Sequence, residues 1–244
     1  MPSIAVSIAK GVLLTLPPVQ RLRTKRRLHD GYDRGKDGAD YASRVFARHA
    51  VVADVSGLDV MEIGAGANLG TAALFARHGA HRIVCIDTIA WASTVPHGVE
   101  YLTPVNVEAT DLPAASFDLI YSHAVFEHIL NPDAAIAELA RLLRPGGLTS
   151  HQIDLRDHRD KTRPLEFLQH SGPTWRLATL GHSDWACNRW RRGDYTDSFA
   201  RQGFRIVSVL TTDTTDVVPD NLHPSFADRN DLDVIGIQIV AERL

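Results

Sequence analysis

The sequence predicts an α/β fold, a doubly wound and mostly parallel sheet with helices on both faces. Two observations predict it. From residue 58 onward, short apolar runs alternate with helical patterns, as they do when each strand is followed by a crossover helix. The first run, Asp59–Ile63, then turns through Gly64-Ala65-Gly66 into an Ala-rich helical stretch that begins near Gly70. That is the strand–turn–helix unit from which such sheets are built.

With 244 residues, 44% of them hydrophobic, the chain can bury a full core as one domain with elaborations. The expected division is an N-terminal helical cap over 1–50 and the α/β domain over 51–244, with 154–195 as an insertion. The net charge of −3 gives no global sign of a nucleic-acid partner. Cys85 and Cys187 are too few for a disulfide framework, and Cys85 falls in an apolar strand pattern. A reducing, cytoplasmic setting is expected.

Ile4 to Leu16 is apolar, with Lys10 inside it and Pro17-Pro18 at its end. It is shorter than the roughly 20 apolar residues that span a bilayer. Its basic residues, Arg21, Arg23, Lys25, Arg26 and Arg27, follow the apolar run, whereas a signal peptide carries them before it. The expectation is a helix that caps the domain or packs on a second subunit, as in a homodimer. The alternative is an interfacial helix whose basic flank touches anionic lipid.

Residues 28–47 are polar and interrupted by Gly31, Gly35 and Gly38, and Tyr41–Ala50 reads as a helix. Further strands are expected at Arg82–Ile86, Val99–Val105, Phe117–Tyr121 and Leu148–Ile153. The helix from Pro132 to Leu143 carries the clearest signals. Asn131 can cap it, Pro132 suits its first position, and Ile136, Leu139, Ala140 and Leu143 share one face. Pro145-Gly146-Gly147 stops it.

After Ile153 the rhythm breaks. Residues 154–195 are rich in Arg, Asp and His, and contain Trp175, Trp185 and Trp190, so they form an insertion with its own helices. A helix over about Asp194–Arg201 leads to strand Phe204–Leu210. The loop Thr211 to Asp231 precedes a last strand, Val234–Ala241, and these two strands are expected to pair antiparallel.

In an open α/β sheet, ligands bind beyond the C-terminal strand ends where strand order reverses. The Glu62–Gly70 turn lies there, with glycines that permit positive φ and close approach of a ligand. Asp87 ends the second strand 21 positions after Gly66, suited to accept from ribose hydroxyls or to cap a helix. Glu108, on the loop after the third strand, could accept from an exocyclic amine such as that of adenine. Asp111 competes for that role, and either could be a solvated loop acid.

The order Glu62-Ile63-Gly64-Ala65-Gly66, Asp87, Glu108 with Leu112-Pro113, Phe117-Asp118 through Glu127-His128, and Leu143-Arg144-Pro145-Gly146-Gly147 resembles the class I S-adenosylmethionine-dependent methyltransferases. The resemblance covers residues 58–153 and the two closing strands. It implies a Rossmann-like, seven-stranded sheet with an antiparallel last strand. It implies that Glu62, Gly64, Ala65 and Gly66 hold the amino-acid end of the cofactor. Asp87, with Thr88 beside it, would bind the ribose, Glu108 and the Ala109 backbone the adenine, and Ser122 with His123 would line the methyl-donor side. Glu127 and His128 would brace their loop. A dinucleotide fingerprint wants glycine where Leu69 stands, which disfavours an NAD-dependent oxidoreductase. A catalytically silent S-adenosylmethionine-binding partner subunit is the remaining alternative.

A narrower resemblance lies in Ser150–His158 and in Asn188–Arg191 with Asp194-Tyr195. These are similar to bacterial methyltransferases encoded with polysaccharide and surface-glycan assembly enzymes, which implies a small polar acceptor such as a sugar hydroxyl. His151 is the expected general base, placed at the mouth of the fifth strand, with His123 second. Asp154 and His158 would orient substrate or, less in keeping with the pattern, bind a divalent ion with His151. The tryptophans would wall the acceptor pocket or form the core of a small lid. Arg189, Arg191 and Arg192 would meet an anionic acceptor or simply be solvated.

Overall fold

The computed structural model describes residues 4–26, 38–181 and 186–244. Arg27, Gly31, Gly35 and Trp185, named above, lie outside the described residues.

Seven strands form one sheet in the order β3-β2-β1-β4-β5-β7-β6. They are β1 (Asp59–Ile63), β2 (Arg82–Ile86), β3 (Val99–Leu102), β4 (Phe117–His123), β5 (Leu143–Asp154), β6 (Phe204–Thr214) and β7 (Val234–Arg243). Neighbours among the first five are parallel, whereas β7 runs antiparallel to both β5 and β6. The doubly wound, seven-stranded sheet with an antiparallel last strand is therefore as expected.

Strand bounds differ where particular residues intervene. β3 ends at Leu102 rather than Val105, because Pro104 has no N–H to give the ladder. β5 begins at Leu143, where the backbone already pairs with Phe117, and it passes irregularly over Gly146-Gly147 before regaining register at Leu148. β6 runs on to Thr214 because bulges keep it paired along the whole of β7.

Helices α3 (Ala39–Ala50) and α4 (Gly70–Arg77) cover one face, where Phe75, Leu69, Val60, Ile83 and Tyr121 are buried. Helices α5 (Pro132–Leu142) and α7 (Arg192–Arg201) cover the other, over Met61, Val84, Ile120 and Ile237. Asn131 caps α5 by accepting from the Ala134 N–H at 3.3 Å. The segment 39–50, grouped with the cap from sequence, lies on the sheet: Arg48 and His49 bond to Gln238 of β7 and Ser150 of β5.

The insertion builds a third core from Leu165, Phe167, Leu168, Trp175 of α6 (Gly172–Thr179) and Phe226 of α8 (Pro224–Ala227). Helix α1 (Ile4–Thr15) docks on α6, adding Ile4 and Ile8 to that core, with Gly11 and Gly181 permitting close backbone approach. Val6, Val12 and Leu13 face outward. Helix α2 (Pro17–Arg26) follows it. No helix among the described residues is long and apolar enough to cross a membrane.

Arg191 ties the insertion to the sheet. It has no exposed surface, and its guanidinium donates to the carbonyls of Leu155 (2.6 Å) and Val234. Burial lowers its pKa to about 10. It is thus a structural pin, which corrects its assignment to an anionic acceptor or to solvent. Arg191→Ala, which leaves two buried carbonyls bare, should cost about 3 kcal/mol in urea unfolding. A loss below about 1 kcal/mol would remove this role.

Candidate functional site

Strand order reverses between β1 and β4, so the crevice opens beyond their C-terminal ends. There the chain leaves β1 through Gly64, at φ +70°, whose N–H donates to the Ile86 carbonyl at 2.8 Å. A β-carbon on Gly64 would run into Val125, which follows β4. Gly66, at φ +65°, has the opposite surroundings: a β-carbon there would meet nothing within 4 Å. The backbone is bare and open at that point, as a ligand cradle requires. Gly70 serves packing instead, since a β-carbon would press on Ala42 of α3. Leu69 is 3% exposed and belongs to the core, so the loop has no third glycine of the dinucleotide kind.

Asp87 leans across this turn. Its carboxylate accepts from the N–H groups of Gly66 (3.1 Å) and Ile89 (3.1 Å), and the Thr88 backbone N–H also points to it. Burial raises its pKa, while these donors oppose the shift. Glu108 lies further along the same edge, and its Oε1 accepts from Leu130 (3.1 Å) and Asn131 (3.0 Å), the residues that lead into α5. Ala109 is exposed beside it.

Under the turn runs a buried polar row. Glu62 sits in register with Cys85 on β2 and Tyr121 on β4, and Tyr121 is in register with Ser150 on β5. The Cys85 thiol is 3.6 Å from the Glu62 carboxylate. His49 stacks on Tyr121 and bonds through Nδ1 to the Ser150 hydroxyl at 2.8 Å. Burial pushes the Glu62 carboxyl up to about 7, with the neighbouring Tyr121 hydroxyl and Cys85 thiol opposing and the nearby Asp87 reinforcing it. Burial also holds His49 well below the ordinary histidine value. His49 and Tyr121 carried no motif. One signal could have marked His49: Ala42, Val45 and His49 repeat along the buried face of α3, an unusual place for an imidazole.

At the ends of β4 and β5 the expected roles change. His151 is not at a strand mouth, because β5 continues to Asp154. The ring has no exposed surface, with Nδ1 bonded to the Ser122 hydroxyl at 2.7 Å and Nε2 to the Thr149 hydroxyl. Phe126 and Phe199 pack on it, and burial lowers its pKa to about 3. A ring so enclosed has no nitrogen to offer a substrate, which corrects its assignment as general base. Ser122 is equally buried and spends its hydroxyl on His151, so it does not line the methyl-donor side.

His123, one residue further, is half-buried at the end of β4, with its ring edge-on to Tyr41 of α3 and to His49, 5.8 Å in each case.

Asp154 is 8% exposed and bonded to Arg156 at 2.8 Å, with His158 3.5 Å away. Burial alone would raise its carboxyl, but His158 and Arg156 hold it well below the usual range. It is an internal anchor rather than a substrate ligand. Trp175 is also internal: it donates to the Cys187 carbonyl at 2.8 Å, and Arg159 lies over its ring. Trp190 is half-buried and, with Glu127, Asp154, Cys187 and Asn188, lines a tight cleft. Arg189 donates to the carbonyls of Phe167 and His170.

The Glu62 shift has a consequence for stability. Folded protein keeps the Glu62 proton between the ordinary glutamate value of 4.5 and about 7, where the unfolded chain has released it. That contribution is intact below about 4.5 and is lost as pH rises to about 7, by at most about 3 kcal/mol. Glu62→Gln should therefore gain stability relative to the parent between about pH 4 and about pH 8 in urea unfolding. A pH-independent difference would remove the shift.

A family profile described as a methyltransferase domain matches residues 32–209. A search of curated proteins finds no sequence match. Similar solved structures include an S-adenosylmethionine-dependent methyltransferase from Mesorhizobium loti, at 17% identity and TM-score 0.58, aligned over 84% of this chain and 98% of that one. Phosphoethanolamine N-methyltransferase 2 of Haemonchus contortus, in complex with S-adenosylmethionine, aligns at 14% identity and TM-score 0.58 over 84% of this chain and 53% of that one. A geranyl diphosphate methyltransferase aligns at 14% identity and TM-score 0.57, over 84% of this chain and 78% of that one. At such identities the structures speak for the fold, and the family rests on the profile. With the glycine turn, the acid at the end of β2 and most of the chain inside that profile, the protein belongs to this methyltransferase-domain family.

Proposed function

We propose that this chain moves a methyl group from S-adenosylmethionine to a hydroxyl oxygen of a small polar acceptor, a sugar or glycan. The observation that carries the transfer is the open backbone at Gly66 beside the Asp87 carboxylate and above the buried Glu62. Glu62, Gly64, Ala65 and Gly66 would hold the amino-acid end of the cofactor, and Asp87 with Thr88 the ribose. Glu108 has Oε1 committed to Leu130 and Asn131, so adenine would be met by Oε2 and the Ala109 backbone.

The cofactor supplies an activated methyl on a sulfonium, so the protein's task is alignment and exclusion of water. His123 takes the place assigned to His151. It stands at the crevice mouth, with Tyr41 and His49 setting its ring, and it would accept the acceptor hydroxyl's proton. The sugar class rests on the resemblance of Ser150–His158, Asn188–Arg191 and Asp194-Tyr195 to glycan-cluster enzymes. A small acceptor also agrees with the names of the phosphoethanolamine and geranyl diphosphate enzymes that share the fold. Free, buried Cys85 and Cys187 suit a reducing, cytoplasmic setting.

Two variants test these roles. Gly66→Ala places a side chain in empty space at positive φ, so it should cost only about 1 kcal/mol of stability. It should nevertheless weaken S-adenosylhomocysteine binding, read by calorimetry, more than about tenfold. Unchanged affinity would move the cofactor elsewhere. For the acceptor, nucleotide-linked and lipid-linked glycans are incubated with labelled S-adenosylmethionine and screened for methylated product. With that acceptor, His123→Ala should lower kcat about 10²–10⁴-fold at unchanged cofactor affinity. Full turnover would exclude His123 as the base.

A further inference from the structure

We infer that His128, His158 and Cys187 form a binding site for one divalent transition-metal ion of the zinc class. One ligand atom from each lies within 4.8 Å of the other two. The three come from separate segments: the 3-10 turn Phe126–His128 after β4, the chain just beyond β5, and the return limb of the insertion. Two imidazoles and a thiol are the donor set of borderline and soft cations rather than of magnesium or calcium.

The surroundings are built to hold these groups in place. The Cys187 carbonyl accepts from the Trp175 indole at 2.8 Å. The next residue, Asn188, donates from its N–H to the Glu127 carbonyl at 2.8 Å, and from its amide to the carbonyls of Phe126 (2.7 Å) and Ile129 (3.1 Å). Cys187 is thereby locked to the turn that carries His128. The rings of His128 and His158 meet edge to face at 4.9 Å. Asp154 lies 3.5 Å from His158 Nε2, the carboxylate partner that commonly fixes the orientation of a metal-bound imidazole.

Bonds to zinc of about 2.0–2.3 Å put tetrahedral ligand atoms roughly 3.3–3.8 Å apart. Closing on an ion therefore requires movements of about 1 Å, within the reach of side-chain torsions. Three protein ligands leave a fourth position for water. Glu127 and Asp154 line the same cleft as Cys187. The ion would fasten the insertion to the ends of β4 and β5, beside the crevice. The group differs from the metal set considered from sequence: His158 joins His128 and Cys187, while His151 is enclosed elsewhere.

The test uses the full chain, freed of metal by a chelator and titrated with Co²⁺. Expected are one ion per chain and a thiolate-to-cobalt charge-transfer band, with equimolar Zn²⁺ retained after gel filtration. Cys187→Ser should abolish the band, and His158→Asn should weaken Zn²⁺ binding about a hundredfold. Should either variant fold poorly, the unaltered chain gives a second measurement. Zn²⁺ should slow alkylation of Cys187 about tenfold or more, and leave Cys85 unaffected. A band that survives Cys187→Ser would overturn the assignment, and so would the joint absence of band and protection. Neither readout requires methyl transfer.

Discussion

The structure depends most on the contact between Gly64 and Val125. Two turns, one leaving β1 and one leaving β4, press together so closely that no β-carbon fits at position 64. That contact fixes the crevice from below, because β1 and β4 are the strands at which chain direction across the sheet reverses. It also reaches outward. Val125 runs into Phe126–His128, whose carbonyls receive Asn188, so the insertion is set relative to the glycine turn through a short chain of contacts. A larger residue at position 64 would disturb the crevice and the insertion together.

The sequence made the central sheet legible because its strands are buried on both faces. β1 and β2 read as short apolar runs bounded by glycines and acids, and both took their expected bounds. Strands β5 and β6 were underestimated for one reason: their extensions are held by pairing with distant partners, Phe117 and the length of β7. Such support leaves no local hydrophobic pattern. The glycine turn and the acid beside it were legible because backbone geometry demands glycine there and strand ends present acids.

The surroundings of the polar residues at the end of β5 were not legible, and His151 shows why. Along a strand, residues two apart share a face, so His151 stands beside Thr149 and level with Ser122 in the neighbouring strand. With three more residues of β5 beyond it, the imidazole is an interior polar group joined to two hydroxyls under Phe126 and Phe199. Its environment is decided by pairing and by helix α7, neither of which the segment 150–158 encodes locally. The same holds for Arg191 and Trp175, whose charge and ring suggested ligand contact. The fold uses Arg191 to join the insertion to the sheet and Trp175 to tie the insertion to itself. In sequence, a functional polar residue and a buried polar pin look alike; only their partners separate them.

The crevice also sets two carboxyl groups in different surroundings. Asp87 faces backbone N–H groups of the turn and the segment after β2, which support its ionised form against burial. Glu62 lies one layer deeper, between the Cys85 thiol and the Tyr121 ring, and burial dominates there. Asp87 itself adds to the cost of ionising Glu62. A cation entering above Glu62 would reverse that balance, since an opposite charge nearby favours the carboxylate. S-adenosylmethionine carries such charge on its sulfonium and its ammonium. A negative charge placed there would instead oppose the ionisation of Glu62.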